Sequence, residues 1–335
     1  MSRLAMNYDS RIYVAGHSGL VGSALVRRLR ALGFQNLLLR THAEFDLTNQ
    51  DAVRRFFAQE RPEYVFLAAA KVGGILANDT FPAQFIHENL QIALQVIHQA
   101  YESGVERLLF LGSSCVYPKH APQPIKEDAL LSGPLESTNR AYALAKIAGI
   151  EMCRAYNHQY GTRFLAGMPA NLYGPDDNYD PNYSHVVPAL IRKMHEAKTN
   201  GADQVVIWGT GEPRREFLYS DDAADACIFL MNLDDDKFAM AIGGDHTWPT
   251  VNIGSGEDLT IRELSELIAE VVGFKKDLLF DHSKPDGTPR KLLDVSRLRT
   301  MGWTPRVSLR EGLTLAYDAF LADRLIATAV AESRH

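Results

Sequence analysis

Short apolar runs alternate with amphipathic stretches through the first half of the chain. Residues 11–15, 37–40, 64–67, 107–111 and 164–167 are apolar almost throughout, as strands covered on both faces should be. Between them, apolar positions recur every three or four residues over 20–32, 51–59, 83–103 and 142–160, which predicts helices. Strands and helices taking turns predict an α/β fold, a Rossmann-type doubly wound parallel sheet with helices on both faces.

The pattern changes after Pro169. Residues 172–184 are rich in Gly, Pro, Asp, Asn and Tyr and read as a loop, followed by a helix over 185–197 and a short strand at 205–208. Further helices are expected at 220–231, packing back on the first domain, at 260–272, with Thr260 and Glu263 as a capping box, and at 309–322. Residues 281–291 read as a polar loop. The expected division is a dinucleotide-binding domain at 8–174, rejoined by about 218–253, and a smaller C-terminal substrate domain from 175–217 and 254–325.

Composition acts by exclusion. Across 335 residues, 46% are hydrophobic, enough for a sizeable core, and a net charge of -6 argues against nucleic acid or an anionic membrane as the main partner. Three cysteines without framework spacing suggest a reducing compartment. Residues 1–10 carry no apolar signal region and no apolar run approaches spanning length, so a cytoplasmic protein is expected. No metal site is expected.

Candidate chemistry concentrates at three places. Residues 14–22 read Val-Ala-Gly-His-Ser-Gly-Leu-Val-Gly, with Gly16, Gly19 and Gly22 three apart between the first strand and the first helix. Such a turn lets the backbone approach a pyrophosphate at a helix N-terminus; a tight turn without a ligand is the plainer alternative. The second strand ends at Arg40-Thr41-His42, with no carboxylate before Glu44 and Asp46. A cation there suits the 2′-phosphate of NADP, whereas an acid would suit the ribose of NAD; Arg40 capping a strand in solvent is the alternative.

Tyr142 and Lys146 lie four apart on one helix face, and Ser113 follows the strand at 107–111. A nearby ammonium favours phenolate and would bring Tyr142 toward the working pH range, and Ser113 can hydrogen-bond a substrate oxygen. Cys115 follows Ser113 by two residues on a loop expected to enter the same crevice, where its thiol can serve as a base if ionised. His185 opens a helix and is the candidate matching acid, although a lone histidine at a helix start is commonly structural. Cys153 and Cys227 read as inert core thiols. Basic pairs at Arg192-Lys193, Arg214-Arg215 and Arg290-Lys291 suggest a phosphorylated substrate, with Trp208 and Asp286 placed to grip a base or sugar.

Residues 16–22, 112–117 and 142–146 together resemble the extended short-chain dehydrogenase/reductases that act on nucleotide sugars, and segments 67–75, 112–119, 171–175, 184–190, 215–218 and 284–291 carry the resemblance over nearly the whole chain. It implies 3,5-epimerisation of GDP-4-dehydro-6-deoxy-D-mannose followed by NADPH-dependent reduction at C4, giving GDP-L-fucose. By the same resemblance, Ser113, Tyr142 and Lys146 run the reduction and Cys115 and His185 the epimerisations. Lys193, Trp208, Arg215, Asp286 and Lys291 would contact the substrate. NADP(H) would be held by Gly16, Ser18, Gly19, Leu20, Val21, Gly22, Arg40, His42, Asp46, Leu47, Ala69, Leu111, Gly112, Ser114, Lys146, Pro169, Asn171, Leu172 and His185. A homodimer is implied too.

The family often has arginine where this chain has Ser18 and His42, which leaves use of NAD open, and Lys193 replaces a frequent arginine, keeping the charge but losing the bidentate fork. Two other readings compete. A 4-epimerase or 4,6-dehydratase of the same family is one, but Cys115-Val116 stands where a dehydratase carries an acidic pair. A non-catalytic NADP-binding regulator is the other; such proteins commonly lose the tyrosine or the lysine.

Overall fold

The computed structural model describes residues 5–181, 183–244, 247–284 and 286–332, with the side chains of 326–332 left aside. Residues 1–4, 182, 245, 246 and 285, which fall within segments read above, lie outside the described residues.

The first sheet contains β1 (Ile12–Ala15), β2 (Leu37–Leu38), β3 (Tyr64–Leu67), β4 (Arg107–Leu111), β5 (Phe164–Pro169) and, from far along the chain, β9 (Thr250–Ile253). Their order is β2-β1-β3-β4-β5-β9, all parallel. Side chains alternate between two cores, as strand geometry requires. Tyr13, Ala15, Val65, Leu67, Leu108 and Phe110 pack toward α2 (Gln50–Glu60), α4 (Pro82–Glu102) and α5 (Arg140–Tyr160). Ile12, Val14, Phe66, Leu109 and Leu111 pack toward α1 (Leu20–Ala31), α7 (Ser220–Met231) and α8 (Asp235–Ile242). Burial on both faces explains why these strands read as continuous apolar runs.

The small side chains Ala223, Ala224 and Ala226 let α7 lie close against α1. Arg27 to Asp221 (2.6 Å) and Arg28 to Asp225 (2.7 Å) tie the two helices together. The chain steps from β1 outward to β2 and then back across to β3, so a crevice opens above the C-terminal ends of β1 and β3.

The rest of the chain folds around a third core. Strand β8 (Arg214–Tyr219) is flanked by β6 (Asn171–Tyr173) and β12 (Arg290–Lys291), both parallel to it, and by antiparallel β10 (Asp258–Thr260). A separate parallel pair is formed by β7 (Gln204–Trp208) and β11 (Asp277–Asp281). Helices α6 (Val186–Thr199), α9 (Ile261–Val272) and α11 (Leu309–Glu332) enclose this core. The short helices α3 (Ile75–Thr80) and α10 (Ser296–Met301) complete the set. The capping box of Thr260 and Glu263 forms as expected.

Several expectations are corrected. The loop over 172–184 begins inside β6, and the polar stretch 281–291 contains β12 and the end of β11. The final helix runs on to Glu332. Strand β8 escapes the hydrophobic pattern because Arg214, Arg215 and Glu216 occupy half of it. Glu216 is only 1% exposed, and it ties β8 to its surroundings by accepting the amides of Gly256 (2.7 Å) and Leu293 (2.9 Å).

Candidate active site

The glycine turn is built for close approach. Gly16 has φ +82°, and a Cβ there would lie 2.7 Å from the Ala69 backbone; a Cβ on Gly22 would lie 1.9 Å from the Gly16 carbonyl oxygen. Gly19 is the contrast, since its nearest neighbour would be 3.6 Å away. Gly19 caps α1 with no side-chain hydrogen bond, and the first turn contains no acid, so its amides and positive dipole end are available to an anion. A cleft of about 640 Å³ opens here, and every residue expected above to hold the dinucleotide contributes to its wall. The cradle and the open amides fit a dinucleotide pyrophosphate.

At the adenosine end, Arg40 is not a free cation. Its guanidinium pairs with Glu60 at 2.5 Å, donates to the Leu39 carbonyl at 2.8 Å and lies 5.7 Å from the Phe56 ring centre. His42 is exposed beside Asp46, whose carboxyl is held below its usual range by the Thr48 amide.

At the other end of the cleft, Lys146 is 3% exposed and donates to the Leu111 carbonyl at 2.7 Å, at the end of β4. Gly149 makes this possible: a Cβ there would strike the Phe110 ring at 2.5 Å, so α5 lies close on the sheet. Lys146 Nζ stands 4.8 Å from the Phe110 ring centre and 5.6 Å from that of Tyr142. Burial lowers its pKa to about 8. The expected depression of the Tyr142 pKa does not occur in this structure. Burial raises it well above its usual value, with Cys115 adding to the rise, because Lys146 faces the ring and a carbonyl. Tyr142 therefore holds its proton near neutrality.

Ser113 lies in the cleft wall, where its hydroxyl accepts the Cys115 amide at 3.3 Å. Cys115 is not among the residues of the cleft wall. It is 7% exposed, in a single helical turn next to Ser113, packed into the first core. Burial pushes its thiol pKa up, while Lys291, Ser113 and Lys146 pull it down. His185 caps α6 at the cleft mouth, exposed to solvent on one side. Desolvation lowers its pKa, which favours the neutral imidazole near neutrality.

The expected substrate residues lie outside the cleft wall but form a strip beside it. Arg215 and Lys291 are register partners on β8 and β12. A Cβ on Gly287 would lie 2.9 Å from the Arg215 guanidinium, and Asp286 accepts from the Thr210 amide (2.9 Å) and hydroxyl (2.7 Å), just beyond β7. Lys193 donates to the Val206 carbonyl of β7 at 2.6 Å, and that strand ends in Trp208, which is 64% exposed.

The three basic pairs divide alike. Arg192 pairs with Glu196, and Arg214 and Arg290 share Asp258. Lys193, Arg215 and Lys291 are in no salt bridge among the described residues, and burial lowers the pKa of each. Three cations outside any salt bridge among the described residues suit a diphosphate. The cleft also takes in Lys71, paired with Glu88 at 2.7 Å, and Asn78, Asp177 and Ser184. Lys71 and Ser184 fall inside segments singled out by resemblance; nothing in the sequence marks Asn78 or Asp177.

Comparison with known proteins agrees with this geometry. The NAD dependent epimerase/dehydratase family matches residues 12–243. GDP-L-fucose synthase 1 of Arabidopsis thaliana is 62% identical over 313 residues, covering 93% of this chain and 94% of that protein. Among solved structures, a GDP-mannoheptose C4 reductase from Campylobacter jejuni with NADP bound superimposes with a TM-score of 0.86 at 41% identity, over 94% of this chain and 99% of that one. A GDP-L-fucose synthetase from Naegleria fowleri bound to NADP gives 0.84 at 26% identity, over 95% and 96%. The chain belongs to the NAD dependent epimerase/dehydratase family and, within it, to the GDP-L-fucose synthases.

Proposed function

We propose that this enzyme converts GDP-4-dehydro-6-deoxy-D-mannose to GDP-L-fucose, by epimerisation at C3 and C5 followed by NADPH-dependent reduction at C4. The observation that carries the reading is the continuity between two sites. Cys115 couples on one side to Lys146 and Tyr142 in the cleft and on the other to Lys291 in the cation strip. A nucleotide sugar with its diphosphate on Lys193, Arg215 and Lys291 would bring its hexose to Tyr142.

The C4 ketone acidifies the protons at C3 and C5. Cys115 takes them as thiolate, a form that Lys291 and Lys146 favour, and His185 is its proton-exchange partner on the ring. When bound, NADPH supplies the hydride for C4. Tyr142 gives its proton to the C4 oxygen, Ser113 hydrogen-bonds that oxygen, and Lys146 offsets the charge left on the phenolate. Arg40 and His42, with Ser18, would meet the 2′-phosphate.

The buried thiol of Cys115 favours a second reading, reduction without epimerisation. The same experiment separates the two: enzyme, NADPH and GDP-4-dehydro-6-deoxy-D-mannose in deuterated water. Loss of nicotinamide absorbance with deuterium at C3 and C5 of GDP-L-fucose supports the first reading. Absorbance loss without ring deuterium supports the second, and no absorbance loss refutes both.

We further propose a cytoplasmic homodimer. Among the described residues no helix is long and apolar enough to cross a membrane, and the adjacent helices α4 and α5 expose Leu94 (51%), Leu144 (41%) and Tyr160 (47%), which a second copy would cover.

A further inference from the structure

Among the described residues, polar atoms of Asn78, Asp177 and Ser184 are shut off from solvent and have no hydrogen-bond partner, and all three residues line the cleft. A polar atom buried and left unpaired is costly, so such atoms point to a missing ligand. Asn78 is 6% exposed, and the orientation of its amide is fixed. Nδ2 donates to the carbonyls of Gly73 (2.8 Å) and Gly74 (3.0 Å), and a flipped amide would set oxygen against oxygen. The unpaired atom is therefore the acceptor Oδ1.

Ser184 belongs to the same small unit. The Gly74 amide donates to the Tyr183 carbonyl at 3.0 Å, and a Cβ on Gly74 would lie 2.9 Å from the Ser184 carbonyl oxygen. On its other side the unit reaches the catalytic phenol: a Cβ on Gly73 would touch Phe85 at 3.3 Å, and the Phe85 ring meets the Tyr142 ring edge-on at 6.2 Å. The shelf thus joins the end of β3 to the start of α6, the helix that carries Lys193 to the cation strip.

We propose that Asn78 and Ser184 clamp the C2 hydroxyl of the substrate's hexose ring, Asn78 Oδ1 accepting its proton and the Ser184 hydroxyl donating to its oxygen. The inference rests on the nucleotide-sugar reading above. A hydroxyl both donates and accepts, which matches an acceptor beside a hydroxyl. In a 4-keto-6-deoxyhexose bearing a diphosphate at C1, hydroxyls remain only at C2 and C3. The C3 centre inverts during the reaction, so C2 alone offers a grip that persists through both epimerisations and the reduction. Asp177 stands in the same wall with its carboxyl pushed up to about 7 by burial, so it too can share a proton with a ring oxygen near neutrality.

The competing ligand for the shelf is the carboxamide of the nicotinamide. Ser184→Ala decides between them, because its hydroxyl makes no internal hydrogen bond and its loss should leave the thermal midpoint unchanged. The expected result is a KM for GDP-4-dehydro-6-deoxy-D-mannose raised about tenfold, with the Kd for NADPH unaltered. With the 2-deoxy analogue of that substrate, wild type and Ser184→Ala should then perform alike. A variant with wild-type KM overturns the proposal, as does a raised NADPH Kd with KM unchanged, which would assign the shelf to the carboxamide. Absence of NADPH oxidation by the wild-type enzyme would overturn the parent reading as well, and is recognisable because it does not depend on the variant.

Discussion

Gly19 and Gly22 stand three residues apart in one turn, yet alanine should harm them in opposite ways. At Gly22 the new methyl would lie 1.9 Å from the Gly16 carbonyl oxygen, 2.6 Å from its carbon and 2.8 Å from His17 Cα. All three are backbone atoms, so no rotamer change relieves the overlap, and the turn must open by more than an ångström. Overpacking of this kind costs about 1–3 kcal/mol even without ligand. At Gly19 the backbone is extended, with φ -87° and ψ 172°, and the nearest atom would be 3.6 Å away. Alanine fits there. Its gain of about 0.4–1 kcal/mol from a less flexible unfolded chain is offset by its weakness as a helix cap. The added methyl, however, lies at the cleft wall, where a pyrophosphate has to approach.

Thermal unfolding with and without NADPH reads both effects. Ligand at about 100 times Kd stabilises the wild type by about 2.7 kcal/mol, and a tenfold loss of affinity in Gly19→Ala reduces that to about 1.4 kcal/mol. Gly22→Ala should be destabilised already as apoprotein. A Gly19→Ala protein with the full NADPH shift would refute the close-approach argument. A Gly22→Ala apoprotein as stable as wild type would refute the steric one.

Tyr142→Phe should keep the fold and lose about a hundred- to ten-thousand-fold in C4 reduction, measured by NADPH oxidation; near-normal turnover would remove Tyr142 as the proton donor. Cys115→Ser should bind NADPH and the GDP-sugar nearly normally but stop deuterium uptake at C3 and C5, and wild-type exchange would make the thiol a packed bystander. Lys146 has its pKa lowered from 10.5 to about 8, so its charge is lost as pH rises through about 8, and kcat/KM for reduction should decline above that pH. The same depressed pKa means that the buried ammonium weakens the fold below about pH 8, a cost that fades as pH rises toward 10.5; a flat activity profile to pH 9.5 would contradict the assignment. Glu60→Gln should release Arg40 and raise the preference for NADPH over NADH, tested by the ratio of kcat/KM values; an unchanged ratio would exclude Arg40 from contact with the 2′-phosphate.

The doubly wound sheet was legible because its strands are buried on both faces, which turns β3 and β4 into unbroken apolar runs with clear ends. Strands β8 and β9 were not, because buried polar residues interrupt them: Glu216 in β8 and the fully buried Asn252 in β9 find partners that no periodicity encodes. The glycine turn and the Tyr142–Lys146 pair are local in sequence, so spacing alone located them. Their electrostatics are not local. Lys146 is oriented by a carbonyl 35 residues away, and Arg40 is neutralised by Glu60 from the following helix. The raised pKa of Tyr142 likewise comes from burial, which is a property of the assembled fold. Asn78 is not legible in the sequence, because a lone asparagine in an apolar helix start carries no pattern.

The anchoring of Lys146 has a consequence for how this enzyme can change over generations. Its partner is the peptide oxygen of residue 111, which any amino acid at that position would supply. Mutation at 111 therefore cannot easily cut the tether, and the placement of Lys146 is inherited by descendants that keep the lysine, the fold and Gly149. The epimerising half, as proposed, has no such insurance, because it depends on two replaceable side chains, Cys115 and His185. Lineages from such an ancestor should thus drift readily toward plain ketone reductases and only with difficulty in the other direction.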